Sequence, residues 1–158
     1  MDFIKKNLKF ILAGAGVLAI LGLIIPGYFV VSAGIYSTST SLFGGGAGID
    51  TVIAIVLILA IAAVVALQFI ADKVKNAKKI ELILAIVAAA AAVVILIRSF
   101  VVLGDAKSVA GIFSSKISAH FGVAFYLYLV GILAFGGAYV FGYLQDKKGV
   151  APKATPAA

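Results

Sequence analysis

The chain has 158 residues and a net charge of +7; 64% of its residues are hydrophobic and only 12% charged, and its mean hydropathy is +1.23. A soluble chain usually has about 45–50% apolar and about 25% charged residues, and a small domain buries only part of what it exposes, so a water-soluble fold is excluded. Disorder and collagen are excluded by the same composition, and a disulfide scaffold by the absence of cysteine.

The expected class is an all-α integral membrane protein. A spanning helix needs about 20 apolar residues, and a lone strand in lipid would leave its backbone unpaired. Residues 1–9 form a basic arm carrying Lys5, Lys6 and Lys9. The membrane domain covers residues 10–144, with helices over 10–31, 51–71, 80–103 and 119–144. In the first, Val31 and Ala33 offer a small-residue cleavage pattern, but the apolar run exceeds a signal core, so retention is expected. Pro26 is expected to kink or end it. Tyr28 and Phe29 fit an outer aromatic belt.

The first outer connection, Ser32 to Ile49, carries Ser37-Thr38-Ser39-Thr40-Ser41 and then Gly44-Gly45-Gly46. It reads as coil or a short hairpin, with threonine favouring the hairpin. Asp50 is expected to cap helix two, Asn76 helix three and Ser118 helix four. The turn from Asp72 to Lys79 is short, so helices two and three should be antiparallel neighbours. In the second outer connection Val109, Ile112, Phe113 and Ile117 recur at helical spacing, the pattern of an amphipathic helix in the headgroup layer. Residues 145–158 are expected to form a disordered tail.

Ten lysines, among them Lys73, Lys75, Lys78, Lys79, Lys147 and Lys148, fall in the arm, the middle turn and the tail. Only Lys107 and Lys116 fall in the two outer connections. The positive-inside rule then gives an antiparallel four-helix bundle with both termini in the cytoplasm, and a cytoplasmic-membrane location. The same lysines are expected to contact anionic inner-leaflet lipids, not nucleic acid, since no soluble domain presents them.

Arg98 lies roughly 7–8 Å below the outer end of helix three. Intramembrane charge needs a partner, and Asp50 or Asp105 stands at the right level. The pair is an interhelical tie or an anion contact. His120 is the only histidine, and a metal site would need further ligands that no cluster supplies.

Phe121, Phe125, Tyr128, Phe135 and Tyr139 share an arc of about 80° on helix four. Gly131, Ala134, Ala138 and Gly142 form an adjacent small-residue face suited to its own bundle or a second copy. The general plan resembles tetraspan families in outline, without the cysteines and tryptophan that mark claudins and tetraspanins.

The spans carry almost no polar group at mid-depth, and no cofactor, phosphate-loop or zinc-protease motif occurs. The expected function is non-enzymatic: a structural or assembly subunit, or a self-associating scaffold, with a protein partner or a second copy. The alternative is a small transporter or oligomeric pore with an outer vestibule near Arg98.

Overall fold

The structure is a computed structural model and describes residues 2–43, 48–113 and 116–149. In chain order it contains α1 (Asp2–Ile24), β1 (Phe29–Ala33), β2 (Tyr36–Thr40), α2 (Ile49–Ile70), a 3-10 turn (Ala71–Lys73), α3 (Ala77–Phe113), β3 (Ile117–Phe121) and α4 (Val123–Gly149). All four α-helices are long and apolar enough to cross a membrane. The chain is therefore mostly helical, but the all-α expectation is corrected by a three-stranded antiparallel sheet of order β2-β1-β3.

Helix ends follow local chemistry. The last α1-type bond is Ile25 N–H to Leu21 C=O at 2.9 Å. Pro26 offers no donor, and Gly27 at φ +107° turns the chain back into β1. Helix one thus stops at Ile24 instead of 31 and starts at Asp2, inside the supposed arm. The loop between α2 and α3 closes through Asn76 at φ +62°, a conformation asparagine tolerates, and its carbonyl accepts the N–H of Ile80 at 3.2 Å. Gly48 precedes α2 as its cap residue, without a side-chain capping bond, so Asp50 is a first-turn residue instead of the cap.

The expected outer helix exists, but as a continuation of α3. Gly104 lowers helix propensity without breaking the helix, and Leu103 and Ala110 are buried. Val109, Ile112 and Phe113 remain exposed. Ile117 and Ser118 lie in β3, so Ser118 caps nothing and α4 begins only at Val123. At its other end α4 runs to Gly149, so the first residues of the expected tail continue the helix; 150–158 lie outside the described residues, as do 44–47.

The core lies along one stripe of each helix: Leu12, Ala15, Ala19 and Leu23; Leu57, Ile61 and Val64; Ala88, Ala92 and Ile95; Tyr128 and Phe135. α1 packs mainly on α4, and α2 on α3. The α1–α4 contact is backbone against backbone. A Cβ on Gly131 would lie 2.4 Å from the Ala19 nitrogen, and one on Gly22 2.3 Å from the Tyr128 nitrogen. In contrast, α4 meets α3 through aromatic side chains, with the Tyr128 hydroxyl donating to the Ala92 carbonyl at 3.2 Å.

Candidate functional site

The three strands gather at the end of the bundle opposite the start of α1 and the end of α4. Gly34 and Ile35 link β1 to β2, and Gly34 has φ +64° while Ile35 does not enter the left-handed region. Glycine at the first central position with this sign fits a type II′ hairpin turn, whose twist suits antiparallel strands. Ala33 then faces Tyr36 as the closing hydrogen-bonded pair, and bonded pairs alternate along the ladder. Ser37 and Ser39 consequently turn their N–H and C=O groups away from β1. Every residue of β2 is exposed, and the strand carries no charge and no proline.

The other side of β1 is occupied: Val30 faces His120 and Val31 faces Ala119 of β3. The chain crosses itself closely where this side begins. Gly122 donates to the Tyr28 carbonyl at 3.0 Å, and a Cβ on Gly122 would sit 2.0 Å from the Gly27 oxygen. Only glycine fits there.

Tyr28 roots the sheet. It is fully buried instead of sitting in an interfacial belt. Ser99 donates to the Ile95 carbonyl at 2.7 Å, so the Tyr28 hydroxyl is the donor in its 2.9 Å bond to Ser99 Oγ. Burial pushes the Tyr28 phenol up to about 12, against the smaller downward effect of the Ser99 bond. Its ring packs edge-on against Phe29 at 5.0 Å and Phe125 at 5.4 Å.

Of the expected aromatic face, Phe125, Tyr128 and Phe135 are buried and Tyr139 is partly so. Phe121 belongs to β3, and stacks on Phe125 at 3.8 Å. On the small-residue face, Gly131 touches α1 at Ala19 and Gly142 lies against Leu8. Ala138 is partly buried, and Ala134 is exposed. The face mostly serves its own bundle.

Beneath the sheet lies a cavity of about 360 Å³, lined by β1, by the start of α2 and by Arg98, Ser99 and Val102 of α3. Antiparallel α2 and α3 bring Arg98 level with Asp50 in the first turn of α2. Arg98 Nε donates to Asp50 Oδ1 at 2.7 Å and a terminal guanidinium nitrogen to Oδ2 at 3.1 Å. This two-pronged geometry is the strong form of an ion pair, with Asp50 also at the positive end of its helix. The side chains remain 44% and 27% exposed. Asp105 lies nearby without a hydrogen bond to Arg98, contributing only a small electrostatic attraction. Chemically, the pair ties two helices at the cavity wall, and the adjacent Ser99 hydroxyl is committed to main chain.

His120 is exposed in β3, with Nδ1 3.1 Å from the Phe121 carbonyl. Among the described residues no group of three or more histidine, cysteine or carboxylate side chains gathers. Lys9, Lys73, Lys75, Lys78, Lys79, Lys147 and Lys148 are exposed at the end where α1 starts and α4 ends; Lys5 and Lys6 lie in α1, their side chains outside the described set. Sequence reasoning placed Tyr28 in an interfacial belt and missed Ser99, Gly22 and β3. For β3 a signal was present: Ile117, Ala119 and Phe121 alternate with Ser118 and His120, the period of a half-buried strand. Comparison with protein-family models, with curated proteins and with solved structures finds no match.

Proposed function

We propose that the chain is a non-enzymatic four-span protein of the cytoplasmic membrane, both termini inside, that works as an assembly subunit by joining further copies through the open edge of β2. Membrane placement is supported by large apolar side chains left outward on every helix, such as Val17, Leu59, Ile86 and Leu133. It is supported as well by the collection of lysines at one end, where anionic headgroups are the expected lipid partner.

The observation that carries the assembly reading is the uncovered edge. Natural sheets protect such edges with lysine, proline or bulges, and β2 has none. An antiparallel pair of β2 strands centred on Thr38 sets Ser37 against Ser39 of the second copy, and the reverse, forming about four backbone hydrogen bonds around a two-fold axis.

Thr38 then faces its own counterpart in a non-bonded pair. Because the chain has no cysteine, Thr38→Cys should oxidise to a covalent dimer in native membranes while Ile35→Cys does not. Ser39→Pro, which removes an outward donor without touching β1, should abolish the dimer in mild detergent. A monomer at every concentration, with no Thr38→Cys cross-link, overturns the reading.

A second reading, a small transporter or pore, is favoured by the cavity beside Arg98. Fully buried Leu57, Ile61, Val64 and Tyr128 fill the bundle between its ends, so transport requires that core to open. Solute flux into proteoliposomes separates the two readings.

A further inference from the structure

The end of the bundle that carries the lysines holds a second and larger cavity, of about 500 Å³, among α1, the end of α2, the start of α3 and the end of α4. Its charges are unevenly matched. Glu81 of α3 projects into it and is bonded to the Gln68 amide of α2, not to a cation. Lys78 is already paired with Asp146 at 3.0 Å. Lys9 and Lys147 line the same cavity without a carboxylate partner among the described residues. Lys147 instead stands over the Tyr143 ring at 5.1 Å. Leu8 and Leu12 supply apolar wall.

A carboxylate held by an amide, two ammonium groups without a carboxylate partner among the described residues and an apolar wall are complementary to one kind of ligand. It carries a phosphoester for Lys9 and Lys147, a primary ammonium within reach of Glu81, and a hydrocarbon portion. We propose that this cavity binds the headgroup of an aminophospholipid of the ethanolamine type. The carboxylate is what separates this site from the general attraction of lysines for anionic lipid, because an anionic headgroup brings no cation to Glu81 and at most a neutral hydroxyl donor. A trimethylated ammonium fits poorly, since it has no N–H to donate to the carboxylate. The inference rests on the membrane placement proposed above but not on the β2 contact. Flotation with liposomes tests that placement separately.

The full chain is purified into nanodiscs containing phosphatidylethanolamine, phosphatidylcholine and phosphatidylglycerol in equal amounts, and the lipids retained after delipidation are weighed by native mass spectrometry. Retention of the ethanolamine lipid should exceed that of each of the others by about tenfold, the scale of one charge-assisted hydrogen bond. Glu81→Gln, which keeps an amide-compatible side chain beside Gln68, should erase the preference over phosphatidylglycerol while leaving helicity intact. Lys9→Ala with Lys147→Ala should lower retention of both lipids together. Lys79→Ala, outside the cavity, should change nothing.

Equal retention of the three lipids, or a preference that survives Glu81→Gln, overturns the proposal. Soluble phosphoethanolamine should compete only at concentrations far above the lipid's. Competition at matched concentration assigns the site to a free phosphoester and overturns the lipid source.

Discussion

Tyr28 is where the root of the sheet, α3 and α4 meet, and its hydroxyl is the only polar side-chain atom it brings into that junction. Tyr28→Phe keeps the ring contacts and leaves Ser99 bonded to Ile95, so the loss should be about 1 kcal/mol, one net hydrogen bond. The more specific readout is pH. The phenol is held neutral in the folded protein up to about 12, whereas an unfolded tyrosine ionises near 10. Between those values the unfolded chain binds fewer protons than the folded one, so stability is intact below pH 10 and falls as pH rises through 12. A thermal melt in detergent across pH 9–12 should show this decline in the native chain and a shallower one in Tyr28→Phe; parallel curves refute the assignment. The Arg98–Asp50 pair was legible because opposite charges at one depth of an apolar bundle have few other partners. Tyr28 was not, because an aromatic ring at the end of a greasy run reads as interfacial until the turn at Pro26 and Gly27 folds it inward.

At the scale of elements, the four long apolar helices were legible from apolar length alone and the β1–β2 hairpin was suggested by its threonines, whereas β3 was not read. Helix limits read from hydropathy absorbed residues 29–31 of β1 and 119–121 of β3, since the apolar run of α1 continues into Phe29–Val31 and that of α4 is flanked by Ala119 and Phe121. Beyond the local alternation in β3, what joins it to β1 is pairing between segments far apart in sequence, which no local window contains. The α1–α4 contact likewise depends on where two helices cross. In the membrane placement proposed above there is no hydrophobic drive between helices, so close backbone approach and dispersion carry the association. Gly131→Ala and Gly136→Ala therefore make a matched test. Both replace helical glycine, a change worth about 0.5–1 kcal/mol in favour of alanine where space allows. At Gly136 nothing lies within 4 Å of the added carbon, and stability should hold or rise. At Gly131 the carbon meets the Ala19 backbone, and overpacking should cost about 1–3 kcal/mol, seen as a lower melting temperature and a larger fraction lost on detergent extraction. Equal effects at the two sites would mean that α1 and α4 are not in backbone contact.

For the whole molecule, lysine placement and sheet formation have one cause. An up-down order of four helices brings the first and third connections to the same end and leaves the termini and the middle turn at the other. The end with only Lys107 and Lys116 is the one where β1 and β3 meet, and the charge asymmetry proposed to orient the chain also leaves β2 itself without a cation. Orientation is testable apart from assembly, again because native cysteine is absent. Ile35→Cys places a thiol at the hairpin tip, where the native side chain is 94% exposed. Lys148→Cys places one at the opposite end, also exposed. A membrane-impermeant maleimide applied to intact cells should label Ile35→Cys at once and Lys148→Cys only after permeabilisation. The reverse pattern would put the sheet in the cytoplasm and the lysines outside. It would remove the positive-inside basis for the orientation while leaving the fold, and the β2 contact itself, to stand on their own geometry.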